Sequence, residues 1–358
     1  MVNNCMVPAI SHLEGTIKSA AEAAGFDLCG IAPVSPNPEL EYFPEWIAAG
    51  HGGEMKYLES RNDSGVLKRS SLSNAAPWAR SALVCAINYN SEQPYSTECK
   101  DKSRGWISRY AWSQQDYHDV VLERLRALES QIKERSVSPE FRSWSYVDTG
   151  PIVERVLAKY AGIGWQGKNT CIINQEIGSW LFLGVILTSL ELTPDMPAPD
   201  RCGSCTRCID ACPTEAFIGP YKLDATRCIS YLTIEKRGAI PEELRPGMGN
   251  QIFGCDICQD VCPWNRQAPP SLSGEFQTRN ELVNPALEWL AGMSQQEFRS
   301  VFKDSPIKRA KYSGVRRNAA VAMGNSGDRK FIPQLETMGQ DEDANLAEHA
   351  RWALEQLK

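Results

Sequence analysis

The run CGSCTRCIDACP (residues 202–213) decides the fold of the surrounding chain, and a second run, CDICQDVCP (residues 255–263), completes it. The first run has the spacing C-x2-C-x2-C-x3-C-P, which is typical of proteins with two 4Fe–4S clusters and in which the fourth cysteine binds the other cluster. The second run lacks one upstream cysteine of that pattern. Cys228 lies between the two runs and is the obvious substitute. Eight thiolates are therefore available, four for each cluster.

Crossed ligation divides these eight cysteines into two sets. Cluster one takes Cys202, Cys205, Cys208 and Cys262, and cluster two takes Cys212, Cys228, Cys255 and Cys258. The proline after each run, Pro213 or Pro263, turns the chain away from the cluster. Paired C-x2-C motifs also bind tetrahedral zinc, but zinc does not require this succession of spacings. A disulfide framework is disfavoured because the chain is long and has no secretory features.

The composition is that of an ordinary globular protein, with 42% hydrophobic and 23% charged residues. A length of 358 residues suffices for two or three domains with cores of their own. The net charge of −6 argues against a protein that coats nucleic acid indiscriminately. Residues 1–15 have no signal-peptide pattern, and the most apolar run, residues 180–187, is too short to span a bilayer. These features predict a cytoplasmic protein with reduced cysteines, without a membrane association.

Hydrophobic periodicity predicts a mixture of strands and helices before the cysteine runs and helices alone after them. The predicted strands are residues 28–34, 81–89, 141–147 and 180–192. The predicted helices are residues 10–24, 116–130 and 151–161, and then 280–302, 313–324, 331–338 and 346–357. The last helices resemble one or two HEAT-like helical hairpins. The predicted fold class is α+β with several domains.

The sharpest feature of the first half is Asp148, in the run YVDTGP at the end of a predicted strand. Such a turn puts a carboxylate at a sheet edge beside exposed backbone amides. An Asx-turn or a helix cap is the structural alternative for an aspartate in this position. The glycine-rich segment 162–167, followed by Lys168, suits an anionic or amide-rich ligand. It lacks the spacing of a Walker A loop.

The run Asp116-Tyr117-His118 resembles the D-x-H motif of corrinoid proteins that supply a histidine to cobalt. That motif requires a glycine three residues later, where this chain has Val121. His118 is therefore predicted to pack on a helix or to lie at the edge of a substrate site. None of the four histidines is assigned a catalytic role.

Basic residues are concentrated between residues 303 and 330, where eight lysines and arginines are opposed by only two aspartates. In a chain of negative net charge, this excess indicates a phosphate-facing surface. A solvated helix face is the alternative. The predicted nucleic-acid contacts are Lys308, Arg309, Lys311, Arg316 and Arg317.

With these residues in view, the chain resembles the epoxyqueuosine reductases, cobalamin-dependent iron–sulfur enzymes of tRNA queuosine synthesis. The motifs that carry the resemblance extend over nearly the whole chain. Besides the first cysteine run, they are RYAWSQQDYH (109–118), YVDTGPIVER (146–155), GWQGKNT (164–170), CISYLTIEKRGAIPEELR (228–245) and IFGCDICQDVCPWN (252–265).

The resemblance implies a cobalamin-binding α/β-sandwich domain over residues 1–192. A ferredoxin-like two-cluster module would follow over residues 193–270, and a HEAT-like tRNA-binding tail over residues 271–358. It also implies base-off cobalamin without a histidine ligand. The implied cobalamin contacts are Arg109, Tyr110, Ala111, Asp148, Arg155, Lys168, Asn169, Thr170, Ser230, Asp256 and Gln259.

The implied activity is reduction of epoxyqueuosine to queuosine in a tRNA anticodon loop by cob(II)/cob(I)alamin, which receives electrons from the two clusters. Asp148 is then the general acid, a role that requires a raised pKa, most simply through burial beside the corrin. The implied partners are tRNA with a GUN-type anticodon and an external one-electron donor of the flavodoxin or ferredoxin type. A monomer is expected. The alternatives are a cytoplasmic enzyme like the reductive dehalogenases and a non-catalytic two-cluster electron carrier.

Overall fold

The structure is a computed structural model that describes residues 10–136 and 139–358. The strands in these ranges are β1 (Leu28–Pro33), β2 (Ser81–Asn88), β3 (Trp106–Ile107), β4 (Ser143–Tyr146), β5 (Trp165–Gln166), β6 (Ile172–Ile173), β7 (Leu181–Thr188), β8 (Phe217–Gly219), β9 (Lys222–Leu223) and β10 (Gln251–Phe253). The α-helices are α1 (Ile10–Ala23), α2 (Pro38–Glu41), α3 (Phe43–Ala48), α4 (Leu72–Ala75), α5 (Tyr117–Arg135), α6 (Glu154–Tyr160), α7 (Arg207–Asp210), α8 (Ile229–Ile234), α9 (Ile257–Asp260), α10 (Leu287–Gly292), α11 (Gln295–Val301), α12 (Lys311–Ser326), α13 (Ile332–Met338) and α14 (Ala344–Gln356).

None of the helices in the described ranges combines the length and the apolar character needed to cross a membrane. Residues 1–9, on which the signal-peptide prediction partly rests, lie outside those ranges.

The first half is built on a four-stranded antiparallel sheet with the order β1–β2–β7–β4. Every residue of β2 is buried, because the sheet is covered on both faces. Ile17 of α1 and Leu125 of α5 belong to the hydrophobic cluster on one face, and Leu157 of α6 belongs to the cluster on the other. Helices therefore cover both sides of the sheet, as predicted for this half, and β4 lies at a sheet edge.

Most elements of this half lie where the hydrophobic pattern predicts them. Helix α1 ends before Gly25, which adopts a φ of +86° that favours glycine. Helix α5 begins after Asp116, whose side chain accepts a hydrogen bond from the His118 amide. The helix predicted at residues 151–161 begins only at Glu154, because the chain bends through the residues that follow β4.

The single helix predicted over residues 280–302 is wrong, because two shorter helices, α10 and α11, occupy this stretch. Pro285 restricts the backbone of the residue before it, and that residue, Asn284, has a left-handed φ of +50°. Ser294 then caps α11 by accepting a hydrogen bond from the amide of Glu297.

The last three helices agree with the predicted ones to within two residues at each end. Their close packing depends on small side chains, since a Cβ added to Gly324 of α12 would lie 2.8 Å from the Cα of Ala353 in α14. The HEAT-like character of these helices stays a prediction.

The largest hydrophobic core extends across all three predicted domains. It contains Trp106 from the first, Phe253 from the second and Val315 from the third. Strand β10 pairs in parallel with β3, and Asn318 of α12 donates a hydrogen bond of 2.8 Å to the carbonyl of Ile252. The predicted boundaries at residues 192 and 270 therefore do not separate three independent cores.

Candidate active site

Thiols of the two cysteine runs lie near one another in the combinations that crossed ligation predicts, and the ligand set of each cluster stays a prediction. Burial, followed by neighbouring thiols that include Cys202 and Cys208, raises the pKa of Cys262 to about 11. Cys262 thus lies with the first run although it belongs to the second. In the other group, burial and then Cys228 raise the pKa of Cys255.

In residues 10–136 and 139–358, the thiols of neither group are gathered around a single point, since no three His, Cys, Asp or Glu side chains lie close enough together to hold one metal ion.

The segment 164–171 packs on both cysteine loops. The Lys168 ammonium donates to the carbonyl of Gly203 at 2.7 Å. Asn169 is buried, and its side chain donates to the carbonyl of Cys258 at 3.3 Å. The two side chains therefore fasten this segment to the cluster loops, and the cobalamin contacts assigned to them stay predictions.

Asp148 lies just beyond β4 with a left-handed backbone φ of +56°. Its side chain is 70% exposed, and its Oδ2 accepts a hydrogen bond of 3.2 Å from the Tyr117 hydroxyl and lies 3.6 Å from Nε2 of His118. Val153, rather than Asp148, is the N-cap of α6. Since such backbone strain is concentrated at functional sites, these contacts argue against the capping role.

His118 lies between two carboxylates, a candidate site position that the sequence did not reveal. Its Nδ1 lies 2.7 Å from Oδ1 of Asp116, and its Nε2 faces Asp148. Burial lowers the pKa of His118, but the hydrogen bonds to Asp116 and Asp148 outweigh burial and raise the pKa to about 9. The imidazole is therefore protonated at neutral pH. The signal in the sequence was the D-x-H run, which was interpreted only as an incomplete cobalt motif.

The pKa of Asp148 is lowered in this structure, and the raised pKa expected for burial beside the corrin stays a prediction. The hydrogen bond with His118 lowers the pKa of Asp148, burial opposes this effect, and Tyr117 and Arg155 add to the lowering. The carboxylate is therefore ionised beside a protonated imidazole. The transferable proton of this pair resides on His118.

Glu154 is a second residue that the sequence analysis missed. Burial raises the pKa of Glu154 to about 7, and the negative charge of Asp148 adds to the shift. Its Oε1 is buried without a hydrogen-bond partner among the described residues. Two neighbouring carboxyl groups whose pKa values are pushed apart are typical of sites that divide acid and base roles.

Three of the predicted cobalamin contacts, Arg109, Ala111 and Asp256, are at most 2% exposed. The Arg109 guanidinium donates to the carbonyls of residues 91, 93 and 94. The Asp256 carboxylate accepts hydrogen bonds from the Trp106 indole and the Arg109 amide. These three residues are enclosed by protein in this structure, and the cobalamin contacts assigned to them stay predictions. The predicted contacts that keep an accessible surface and lie outside the Lys168–Asn169 pair are Tyr110, Asp148, Arg155, Thr170, Ser230 and Gln259.

The five predicted nucleic-acid contacts form the basic segment (residues 308–317), and they differ in exposure. Lys308, Arg309 and Lys311 are exposed, although Arg309 also forms an ion pair with Glu235 at 2.9 Å. Arg317 is 2% exposed, and its guanidinium donates to three backbone carbonyls. Arg316 pairs with Asp341 at 2.8 Å. In this structure α12 turns both side chains toward protein partners, and the nucleic-acid contacts assigned to them stay predictions.

Two families match parts of the chain. The family described as 4Fe-4S double cluster binding domain matches residues 201–265, and the family described as Epoxyqueuosine reductase QueG, DUF1730 matches residues 69–149. The epoxyqueuosine reductase of Xanthomonas campestris pv. campestris is 40% identical over 345 residues, which are 95% of this chain and 95% of that protein. The matched regions include both cysteine runs and Asp148.

Solved structures agree with these matches. A crystal structure of epoxyqueuosine reductase with a tRNA-Tyr epoxyqueuosine-modified stem loop has a TM-score of 0.86 and 31% identity, and covers 98% of this chain and 91% of that chain. The Bacillus subtilis reductase, solved with its catalytic aspartate loop swung out of the active site, has a TM-score of 0.84 and 31% identity, with 98% and 91% coverage. The cysteine groups, the fold and these relatives lead to one conclusion: the chain belongs to the epoxyqueuosine reductase family of oxidoreductases.

Proposed function

We propose that this chain reduces epoxyqueuosine to queuosine in the anticodon loop of a tRNA, with Asp148 as the proton donor. The observation that carries the proposal is the contact of Asp148 with Tyr117 and with the protonated His118. Related proteins support the substrate and the acid, since one structure holds an epoxyqueuosine-modified stem loop and another has a catalytic aspartate loop. Because the chain belongs to the epoxyqueuosine reductase family, we do not propose either alternative function, the dehalogenase-like enzyme or the non-catalytic electron carrier.

A chain of interactions through Arg155 and residues 170–171 links Asp148 to the second cysteine group and supports electron delivery from that side. The positive charge of Arg155 helps to lower the pKa of Asp148, and its guanidinium donates to the Thr170 carbonyl at 3.0 Å. The thiol of the next residue, Cys171, hydrogen-bonds the thiol of Cys258. The proposed acid and a cluster-two ligand are therefore separated by only a few side chains.

The accessible residues fit the base-off cobalamin that the family resemblance implies. Both ring nitrogens of His118 face carboxylates, so this histidine has no lone pair directed at a cobalt ion. When bound, cobalamin would supply the electrons that break the carbon–oxygen bonds, and two 4Fe–4S clusters would pass electrons one at a time. Hydroxyl, amide and guanidinium groups that match the amide arms and the phosphate of a corrinoid come from Tyr110, Arg155, Thr170, Ser230 and Gln259.

Removal of the epoxide oxygen as water consumes two electrons and two protons. Asp148 is ionised in the free protein, so it gains a proton before it acts as a general acid. The His118 imidazolium, 3.6 Å from Oδ2, supplies that proton, and its loss of charge then lets the pKa of Asp148 rise. Glu154, with a pKa of about 7, is available for the second proton.

Exposed cations and an aromatic ring support RNA binding around this site. Lys308 lies 3.0 Å from Asp116, and the Arg309 guanidinium lies 5.4 Å from the ring centre of Tyr57. Tyr57 is 46% exposed. Aromatic rings beside cations commonly bind the unstacked bases of RNA loops. Lys311 is exposed on the same segment, and α12–α14 form the proposed HEAT-like, tRNA-binding tail.

Several finer features stay predictions. They are the functional division of the chain at residues 192 and 270, the GUN-type anticodon, the flavodoxin- or ferredoxin-type electron donor, the monomeric state and the cytoplasmic location.

Anaerobic turnover tests the proposal. Protein with reconstituted clusters is incubated with cobalamin, a low-potential reductant and an epoxyqueuosine-containing anticodon stem loop, and the nucleosides are analysed by mass spectrometry. We expect queuosine, formed by loss of one oxygen atom, only when cobalamin and both clusters are present. Unchanged epoxyqueuosine with full cofactor loading would contradict the proposed reaction. Queuosine formation without cobalamin would remove the corrinoid from the proposal.

A further inference from the structure

Lys308 projects from a firmly packed turn that precedes α12. The neighbouring residues Pro306, Ile307 and Ala310 are buried. The Ser305 hydroxyl accepts a hydrogen bond of 3.3 Å from the amide of Ile307. The base of the Lys308 side chain is therefore held in place, and the rest of the side chain extends away from the turn.

The ammonium group of Lys308 reaches a buried carboxylate. Its Nζ lies 3.0 Å from Oδ2 of Asp116, whose side chain is 3% exposed, whereas the Lys308 side chain is 54% exposed. A buried carboxylate is costly unless it is paired and hydrogen-bonded. The other oxygen of Asp116 bonds Nδ1 of His118 at 2.7 Å. Lys308 and His118 together neutralise and orient Asp116.

A line of alternating charges thus connects the basic segment to the proposed acid, from Lys308 through Asp116 and His118 to Asp148. Its three separations are 3.0, 2.7 and 3.6 Å. A lysine ammonium has three N–H donors, and one carboxylate oxygen engages only part of this capacity. The exposed side of Lys308 is therefore accessible to an anion.

We infer that Lys308 is a positioning residue that binds a phosphate of the RNA loop and the Asp116 carboxylate together, and so couples substrate binding to the protonation of His118, the proposed proton source for Asp148. The inference rests on the proposed function for its substrate and its acid. A phosphate next to the ammonium offsets part of the positive charge beside Asp116. His118 then holds its proton more strongly, because less positive charge opposes it. Bound RNA therefore keeps His118 charged over a wider pH range.

The groups that influence this line of charges come from several elements. Of those in the described ranges, Lys308 and His118 form ion pairs with Asp116. The other charged or titratable groups that act on Asp148 or His118, or respond to Asp148, are Tyr57, Arg69, Tyr110, Tyr117, Glu154, Arg155 and Arg309.

Titration of the His118 imidazole by NMR tests the inference without requiring turnover. Cluster-loaded wild type, Lys308→Gln and Lys308→Arg are compared with and without an anticodon stem loop, and His118→Gln assigns the signal. The wild-type midpoint is expected near the folded pKa of about 9. Lys308→Gln should raise the midpoint by about 0.5–1 pH unit, because it removes a positive charge. Lys308→Arg should leave it in place, and the stem loop should raise it more in the wild type than in Lys308→Gln.

RNA affinity gives the second measurement. Lys308→Gln should weaken stem-loop binding about fivefold and reduce the slope of log affinity against log salt by about one. Lys133→Gln removes an exposed lysine at the far end of α5 and is the matched control, which should change neither the affinity nor the midpoint.

Three results would overturn the inference. In the first, the stem loop raises the His118 midpoint equally in the wild type and in Lys308→Gln. In the second, Lys308→Gln leaves the salt slope unchanged. In the third, Lys308→Gln lowers thermal stability but changes neither the midpoint nor the affinity for the stem loop. The proposed function is judged separately, because a wild-type protein that binds the stem loop but does not reduce epoxyqueuosine would contradict that function and not the titration result.

Discussion

The thiols of the cysteine loops and the cations of the basic segment are held in place in different ways. The thiols are positioned by short turns, such as the one in which the Cys205 amide donates to the Cys202 carbonyl at 3.1 Å. The cations are positioned by α12 and by distant partners, since Arg317 donates to the carbonyl of Leu232 and Lys308 pairs with Asp116. A site made of local turns depends on its own sequence. A site made of distant partners depends on how several parts of the chain pack.

This difference predicts different consequences of mutation. Removing one thiol should remove a cluster and its activity while the surrounding fold persists. Removing a buried cation should weaken the fold, whereas removing an exposed cation a few residues away should not. The first two predictions that follow test this contrast.

Cys228→Ala should have the largest effect, because it removes a ligand of cluster two. Iron should fall from about eight to about four atoms per chain, and turnover should be lost. Iron, acid-labile sulfide and turnover are measured in anaerobically reconstituted protein. Cys99→Ala, which alters a cysteine outside both groups, should keep all of the iron. Full iron content in Cys228→Ala, or zinc without sulfide in the wild type, would contradict the two-cluster assignment.

Arg317→Met should destabilise the fold by about 2–4 kcal/mol, because it removes the donor of three backbone carbonyls, of which that of Leu232 is buried. Those carbonyls belong to Leu232, Lys236 and Gly238. Lys311→Met is the matched control on an exposed neighbour and should change the stability by less than about 0.5 kcal/mol. Thermal and denaturant unfolding measure both variants. If Arg317→Met were as stable as Lys311→Met, Arg317 would be assigned to RNA binding rather than to the stability of the fold.

The contrast also explains which features could be predicted from the sequence. The cysteine groups and the buried strands β2 and β7 were predictable, because spacing and continuous apolar runs act locally. The burial of Arg317 was not predictable, because it depends on carbonyls more than 70 residues earlier in the chain. The contact of His118 with Asp148 was not predictable for the same reason, since the two side chains meet only in the folded protein.

His118→Gln should have the smallest effect, on the pH dependence of stability. The folded pKa of about 9 lies above the ordinary value, so the stabilisation is fully present below about pH 6.5 and is lost as the pH rises through 9. The side chain is 31% exposed, which keeps the effect small. Thermal unfolding midpoints measured from pH 6 to pH 10 should decline less in His118→Gln than in the wild type. Parallel curves would show that the imidazole is not held by Asp116 and Asp148.

A single-turnover measurement of Asp148→Asn tests the central claim most directly. The amide keeps the size of the carboxyl group but cannot donate its proton as an acid. The rate of queuosine formation should fall about 10²–10⁴-fold, the usual worth of general acid catalysis. Iron content, cobalamin content and stem-loop affinity should match those of the wild type, and Asp119→Asn, an exposed carboxylate of α5, should keep the full rate. A wild-type rate in Asp148→Asn, or a loss of rate that follows loss of cobalamin, would contradict the role of Asp148 as the proton donor.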